Sequence, residues 1–203
     1  MSPAPSVGWY SFVHKGGEFP VCLRPEGAFF CPQFRAGAFW HYLEEEDGVL
    51  KIEWANYGKY AMKLGGDGIT WEGSLIGKPE SWRKMVFTKS LSDAELLLLN
   101  TEWNFQYEKG EFPIEFRGDG FNHFICKSHS AHAHWDFSED ENKVLIDWAQ
   151  YGKYEMTIDV ASKTMTGNKV GQPANWRKAN LLRSLSGDEA STGLVSHDHS
   201  HDH

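Results

Sequence analysis

Several common sequence features are scarce in this chain, and each scarcity excludes a class of protein. Cysteine occurs only three times in 203 residues, which is too few for a disulfide scaffold. No apolar run approaches the ~18 residues that a membrane-spanning helix needs. The 20 lysines and arginines are outnumbered by 28 acidic residues and form no basic block. We therefore expect neither membrane insertion nor a nucleic-acid partner.

The short motifs of several enzyme classes are also missing. The sequence contains no glycine-rich phosphate loop that opens a helix, no Gly-x-Ser-x-Gly, no His-Glu-x-x-His and no Cys-x-x-Cys. Residues 1–7 lack the basic and apolar regions of a signal peptide. These absences predict a cytoplasmic protein with reduced cysteines, and they make an enzyme the less favoured reading.

Aromatic residues and an internal repeat are what the chain has in abundance. Aromatics make up 14% of the sequence and include nine tryptophans. The segment Tyr57-Gly58-Lys59-Tyr60 recurs unchanged at 151–154, and Trp82-Arg83-Lys84 recurs at 176–178. The spacing is 94 residues both at Tyr57/Tyr151 and at Trp9/Trp103. The chain is therefore interpreted as two tandem copies of one module.

Each copy alternates apolar and polar residues with the period of a β-strand. Leu50, Ile52 and Trp54 alternate with Lys51 and Glu53. Turn-like glycine clusters separate about eight such segments per copy, which predicts an all-β fold with two short-stranded, up-and-down antiparallel barrels. The strands predicted for the first copy are roughly 9–14, 19–24, 28–33, 38–44, 49–55, 59–64, 69–75 and 82–88.

The predicted division of the chain has four parts. Residues 8–91 form the first barrel and residues 102–186 the second. Residues 92–101 form a helical linker, because Ser92-Asp93-Ala94-Glu95 has the pattern of a capping box. Residues 187–203 are predicted to be a disordered tail rich in histidine and aspartate.

The strand pattern of both copies resembles that of the calycins, the group of lipocalin-like and avidin-like barrels. In lipocalins a tryptophan on the first strand packs against a basic residue of the last strand. This resemblance implies a structural clasp between Trp9 and Arg83 in the first copy and between Trp103 and Arg177 in the second. An alternative is that the duplicated charges Lys59/Lys153 and Arg83/Arg177 line a site for an anionic ligand.

The leading functional hypothesis is a non-enzymatic binding protein for a small apolar or aromatic ligand, or for a protein partner. An eight-stranded barrel is just wide enough to hold one small ligand, although its side chains can also fill it completely. The candidate ligand-binding residues are Trp40, Trp54, Tyr60, Met62 and Trp71 in the first copy, with Trp135, Trp148, Tyr154, Met156 and Met165 in the second.

A histidine cluster in the second copy supports a different hypothesis. His132 and His134 point to the same face of one predicted strand, and His123 lies on the preceding strand. Three imidazoles at such a place could hold Zn²⁺ or another divalent metal ion, and so support a metal-dependent enzyme. The alternative is that they are surface histidines, because the first copy has Ala28, Gly37 and Phe39 at these positions. A third hypothesis is a scaffold whose duplicated surface gives two-point attachment.

Overall fold

The alternating segments of both copies fold as antiparallel strands, as the sequence predicts. A computed structural model describes residues 3–192 of the chain. In the first copy the strands are β1 Gly8–His14, β2 Gly17–Leu23, β3 Phe29–Phe30, β4 Ala38–Leu43, β5 Val49–Trp54, β6 Lys59–Leu64, β7 Thr70–Leu75 and β8 Lys78–Lys89. In the second they are β9 Thr101–Tyr107, β10 Gly110–Phe116, β11 His123–Ile125, β12 Ala133–Ser138, β13 Lys143–Asp147, β14 Lys153–Asp159, β15 Thr164–Lys169 and β16 Gln172–Ser184.

Two eight-stranded sheets result, one in each of two compact units. The second sheet is a closed barrel in which β16 pairs with β9 and β11 pairs with β12. In the first sheet β8 pairs with β1, and the end strands β3 and β4 meet through the single bridge Ala28–Phe39. The predicted pair of tandem barrels is therefore confirmed.

The core of each barrel consists of the inward-facing side chains of alternating residues. In β5 the side chains of Leu50, Ile52 and Trp54 are buried, as the period of two predicts. Met62 from β6 and Met85 from β8 lie in the same hydrophobic cluster. The second barrel has an equivalent cluster in which Val144, Ile146 and Trp148 come from β13 and the residue that follows it.

The pairing of strands corrects the alignment of the two copies at their first strand. Tyr10 pairs with Val21, and Trp103 pairs with Ile114, the counterpart of Val21. Trp103 is therefore the counterpart of Tyr10 in the second copy, and not of Trp9. Both Tyr10 and Trp103 are buried, whereas Trp9 is partly exposed. The predicted spacing of 94 at Trp9/Trp103 was therefore wrong by one residue, because two neighbouring aromatics were matched by type and not by the face that they occupy.

Two further predictions differ from the structure, and the helix predicted for the linker is present. The strand predicted at 28–33 is limited to Phe29–Phe30, because Pro32 has no N–H to donate to a ladder. The helix predicted for the linker is α1, Asp93–Leu98, and its Ala94 and Leu98 lie in the core of the second unit. β9 begins at Thr101, inside the predicted linker.

The tail predicted at 187–203 is ordered at its start. Residues Gly187–Ser191 form a second short helix, α2, which Ser186 and Glu189 cap reciprocally. The remainder of that tail, 193–203, lies outside the described residues. Over residues 3–192 no helix has the length and apolar character needed to cross a membrane.

Candidate functional site

Each barrel carries a pocket at the end where its odd-numbered strands finish and the strands that follow them begin. Several hairpins meet there, so side chains from strands that are distant in sequence surround one cavity. The first pocket is lined by Phe12, His14, Phe19, Phe34, Trp54, Tyr57, Tyr60 and Arg83. The second is lined by Phe105, Tyr107, Phe112, His129, Trp148, Tyr151, Tyr154 and Arg177.

The two pockets correspond position by position. The strand registers place Phe12 opposite Phe19 in the first barrel and Phe105 opposite Phe112 in the second. Six of the eight lining positions hold the same residue type in both copies, and these are two Phe, one Trp, two Tyr and one Arg. At the two remaining positions the histidine differs in place: His14 corresponds to Tyr107, and Phe34 corresponds to His129. Each pocket therefore contains one histidine and one arginine among aromatic rings.

Hydrogen bonds to the backbone fix the rings of the first pocket. The Trp54 indole N–H donates to the carbonyl oxygen of Phe34 at 3.0 Å, and the Tyr60 hydroxyl donates to that of Tyr57 at 2.5 Å. The turn between them requires Gly58, whose φ of 107° is a conformation that other residues rarely adopt. The recurring Tyr-Gly-Lys-Tyr segment thus forms a turn that presents two pocket residues.

The second pocket is held in the same way. The Trp148 indole N–H donates to the carbonyl oxygen of His129 at 3.1 Å, and the Tyr154 hydroxyl donates to that of Tyr151 at 2.6 Å. The ring of His129 lies 4.7 Å from that of Phe112, centroid to centroid. Because the polar atoms of Trp and Tyr bond to the backbone, these side chains present mainly their apolar faces to the cavity.

The volumes of the pockets suit a small ligand. The cavities measure about 170 Å³ in the first barrel and about 160 Å³ in the second. An apolar cavity of about 150 Å³ is large enough for one benzene ring. Rings from Phe, Trp and Tyr offer both stacked and edge contacts to such a ligand. Each pocket can therefore accept a single aromatic or similarly flat group.

The structure brings four of the ten predicted ligand-binding residues to these pockets, and these are Trp54, Tyr60, Trp148 and Tyr154. The other six do not line either cavity. Met62, Trp71, Trp135, Met156 and Met165 are buried in the barrel cores, and the indole N–H of Trp40 donates to the carbonyl oxygen of Arg24. They lie away from these cavities because an inward-facing residue in mid-strand fills the narrow interior and does not reach its open end.

The predicted clasp is not formed in either barrel. Trp9 pairs with Lys89 at one end of β1, whereas Arg83 precedes Lys84, which pairs with Val13 near the other end. Trp103 pairs with Leu181 and is fully buried, and its indole N–H donates to the Thr101 hydroxyl. The arginines lie over tyrosines of the pockets instead, Arg83 over Tyr60 and Arg177 over Tyr154 and Tyr107.

The three histidines of the second copy do come together. Their ring centroids are 5.2 Å apart for His123 and His134, 4.7 Å for His132 and His134, and 6.1 Å for His123 and His132. His123 is fully buried, and the pKa of His132 is lowered by burial and by the nearby His123. Among residues 3–192, however, no group of three or more His, Cys, Asp or Glu side chains is arranged to hold a metal ion. The predicted metal site therefore gains no support.

Sequence reasoning missed several pocket residues although a signal for them was present. Phe19 and Phe112 belong to the Gly-Glu-Phe-Pro segment that occurs in both copies, and Tyr57 and Tyr151 belong to the Tyr-Gly-Lys-Tyr segment. Identity between the copies marked these residues, but their position beside a turn did not suggest a cavity. Phe34 and His129 differ between the copies, so the repeat gave no signal for them.

Comparisons with protein-family models, curated proteins and solved structures find no match to this chain. The resemblance to calycins therefore stays a prediction.

Proposed function

We propose that this protein is a non-enzymatic binding protein that holds a small aromatic ligand at the open end of each barrel. The observation that carries the proposal is the recurrence of the pocket: eight matched positions line a cavity of similar volume in both copies. Packing of a narrow barrel explains buried rings in mid-strand, but it does not require an open aromatic cavity at the same end of both barrels.

The lining chemistry supports an aromatic ligand. Trp54 and Phe12 lie edge to face at 5.6 Å between centroids, and Phe12 stacks on Phe19 at 5.4 Å. Rings held in this way keep their positions when the pocket is empty, so a flat ligand enters a preorganised site and less conformational entropy is lost.

Ligand-observed NMR with phenylacetate and phenylacetamide tests this proposal on the full chain. For probes of this size we expect dissociation constants on the order of 1 mM, since a small ligand gains at best a limited free energy per atom. Tyr57 is 45% exposed and Tyr151 packs partly buried against the core, so Tyr57→Ala together with Tyr151→Ala removes one ring from each pocket without replacing a fully buried residue. This double variant should bind both probes several-fold more weakly.

A matched control removes exposed apolar side chains from elsewhere on the barrels. Phe39 and Leu145 are 54% and 43% exposed and line neither pocket. Phe39→Ala together with Leu145→Ala should leave the affinity for both probes unchanged. Equal weakening by the two double variants, or no binding of either probe to the wild-type chain, would overturn the proposal.

A further inference from the structure

Each pocket has a guanidinium group over one of its tyrosine rings. Alternation along β8 turns Arg83 to the same face as the buried Met85, and its Cζ lies 5.4 Å from the centroid of the Tyr60 ring. In the second barrel, Arg177 lies 5.0 Å from the Tyr154 ring and 5.5 Å from the Tyr107 ring. Both arginines are partly buried at the edge of the cavity and are thus placed to meet a ligand.

Neither arginine is neutralised by a carboxylate of residues 3–192. Nη1 of Arg83 donates to the carbonyl oxygen of Trp82 at 2.9 Å, and Nη1 of Arg177 donates to Asn175 Oδ1 at 2.6 Å and to the carbonyl oxygen of Trp176 at 2.8 Å. A guanidinium has five N–H donors, so most of them are not used by these bonds. By contrast, Arg117 and Arg183 both form ion pairs with glutamates.

The charge of the pockets is opposite to that of the chain. No aspartate or glutamate is among the sixteen lining residues, although the chain as a whole has a formal net charge of −8. The hydroxyl groups of Tyr60 and Tyr154 and the indole N–H groups of Trp54 and Trp148 already donate to backbone carbonyls. Beside the remaining tyrosine hydroxyls and one histidine, the arginine is therefore the permanently charged group that each cavity offers to a ligand.

We propose that the ligand of each pocket is an aromatic carboxylate, whose ring stacks among the Phe, Trp and Tyr side chains and whose carboxylate pairs with Arg83 or Arg177. This inference rests on the proposed function and names the chemical class of its ligand. The fork of a guanidinium matches the two oxygens of a carboxylate. A single arginine per pocket balances one negative charge, which favours a carboxylate over a phosphate dianion.

The test compares phenylacetate with phenylacetamide, which has the same shape and no charge. Dissociation constants are measured for both probes on the full chain by NMR titration at low ionic strength. A hydrogen bond to a charged group contributes more than a neutral one, so we expect phenylacetate to bind about tenfold more tightly or better. Added salt should reduce this preference, because the pockets are open to solvent.

Paired variants identify the residues responsible. Arg83→Gln together with Arg177→Gln should abolish the preference for phenylacetate over phenylacetamide. The control is Lys84→Gln together with Lys178→Gln, which removes the same charge from the adjacent, outward-facing positions and should keep the preference. If the Arg→Gln pair does not fold, Arg83→Lys with Arg177→Lys replaces it in the test. The lysine pair should keep a reduced preference, because an ammonium group lacks the fork of donors that a guanidinium offers.

The outcomes separate this inference from the proposed function. Equal affinities of the wild-type chain for the two probes would overturn the carboxylate assignment while leaving an aromatic-binding pocket in place. A preference that survives the Arg→Gln pair, or that is undiminished in the Arg→Lys pair, or that the Lys84→Gln and Lys178→Gln control removes as well, would also overturn it. Failure of both probes to bind would remove the proposed function and this inference together.

Discussion

Gly73 and Gly167 stand at positions where the neighbouring strand leaves no room for a side chain. A Cβ on Gly73 would lie 2.0 Å from the carbonyl oxygen of Ala61, and one on Gly167 would lie 1.9 Å from that of Glu155. Both clashes are with backbone atoms, which cannot rotate away as a side chain does. The recurrence of these glycines in the two copies thus has a steric cause.

Gly167→Ala should destabilise the protein by about 1–3 kcal/mol, the usual cost of inserting an atom where there is no space. The free energy of unfolding in urea measures this. Gly110→Ala is the matched control, because a Cβ at this strand position would lie 3.8 Å from the nearest atom, Cε1 of Tyr107. It should change the free energy of unfolding by less than about 0.5 kcal/mol. Equal stability of the two variants would contradict the described pairing of β14 with β15.

His132 gives the histidine cluster a dependence on pH. Its pKa is lowered from the ordinary value, first by burial and then by the charge of His123. The unfolded chain therefore binds a proton at this residue more readily than the folded one, and protonation favours unfolding. The stability that neutral His132 provides is complete above the unfolded pKa of about 6.5 and is lost as the pH falls below that value.

His132→Asn should accordingly flatten the fall in stability between pH 8 and pH 5. The measurement is the free energy of unfolding of both proteins at several pH values in that range. His41→Asn, a substitution in a β-strand of the first copy, is the control and should leave the slope as it is. An unchanged slope in His132→Asn would mean that this histidine titrates alike in the folded and unfolded chains.

The Arg117 side chain ties the end of the described chain to the second barrel. It pairs with Glu115 at 2.8 Å, and its Nη1 donates to the carbonyl oxygens of Ala190 and Thr192, each at 2.8 Å. Glu115 and Arg117 are both buried. Residues of α2 and its C-terminus are thus held by one guanidinium, in a barrel whose first-copy counterpart has Cys22 in place of Glu115.

Arg117→Met should destabilise the protein by about 3–5 kcal/mol, because it leaves a buried glutamate without a counter-charge. Adding Glu115→Gln to Arg117→Met should restore part of this loss, since the buried charge is then removed as well. Thermal unfolding of the three proteins makes the comparison. A double variant that is no more stable than Arg117→Met would show that the loss does not come from the unpaired carboxylate.

The order and number of strands followed from the sequence because the period of two is a local property. Leu50, Ile52 and Trp54 alternate clearly, and the capping box at Ser92 marks the start of α1 within one residue. The third strand was overestimated, since Phe29 and Phe30 look like the start of a strand that Pro32 then ends. The packing of α1 into the second barrel depends on tertiary contacts that no local pattern contains.

The pockets were only partly predictable for a similar reason. Trp54 and Tyr60 could be selected as large and inward-facing, but the same criteria also selected Met62 and Trp71, which are buried in the core and line neither pocket. Depth along the barrel axis depends on strand register, and a sequence repeat does not give that register. The resemblance to lipocalins implied a contact of Arg83 with Trp9, but the strand register separates the two by most of the length of β1.

Because the module is duplicated, the same pocket occurs twice in the chain, and ligand binding can be followed at each. Each pocket has one tryptophan among its lining residues, Trp54 in the first and Trp148 in the second, and its indole N–H donates to a backbone carbonyl oxygen of another lining residue. Trp82 and Trp176 are exposed at matched positions on the outward faces of β8 and β16 and line neither cavity. These four residues therefore report separately on ligand inside and outside the pockets.

The most direct measurement is a titration of the ¹⁵N-labelled full chain with phenylacetate, in which the indole N–H resonances are assigned through Trp→Phe variants. Binding at both pockets predicts that the signals of Trp54 and Trp148 shift together and saturate, while those of Trp82 and Trp176 stay in place. Shifts confined to Trp82 and Trp176, or no saturable shift at Trp54 and Trp148, would contradict the account.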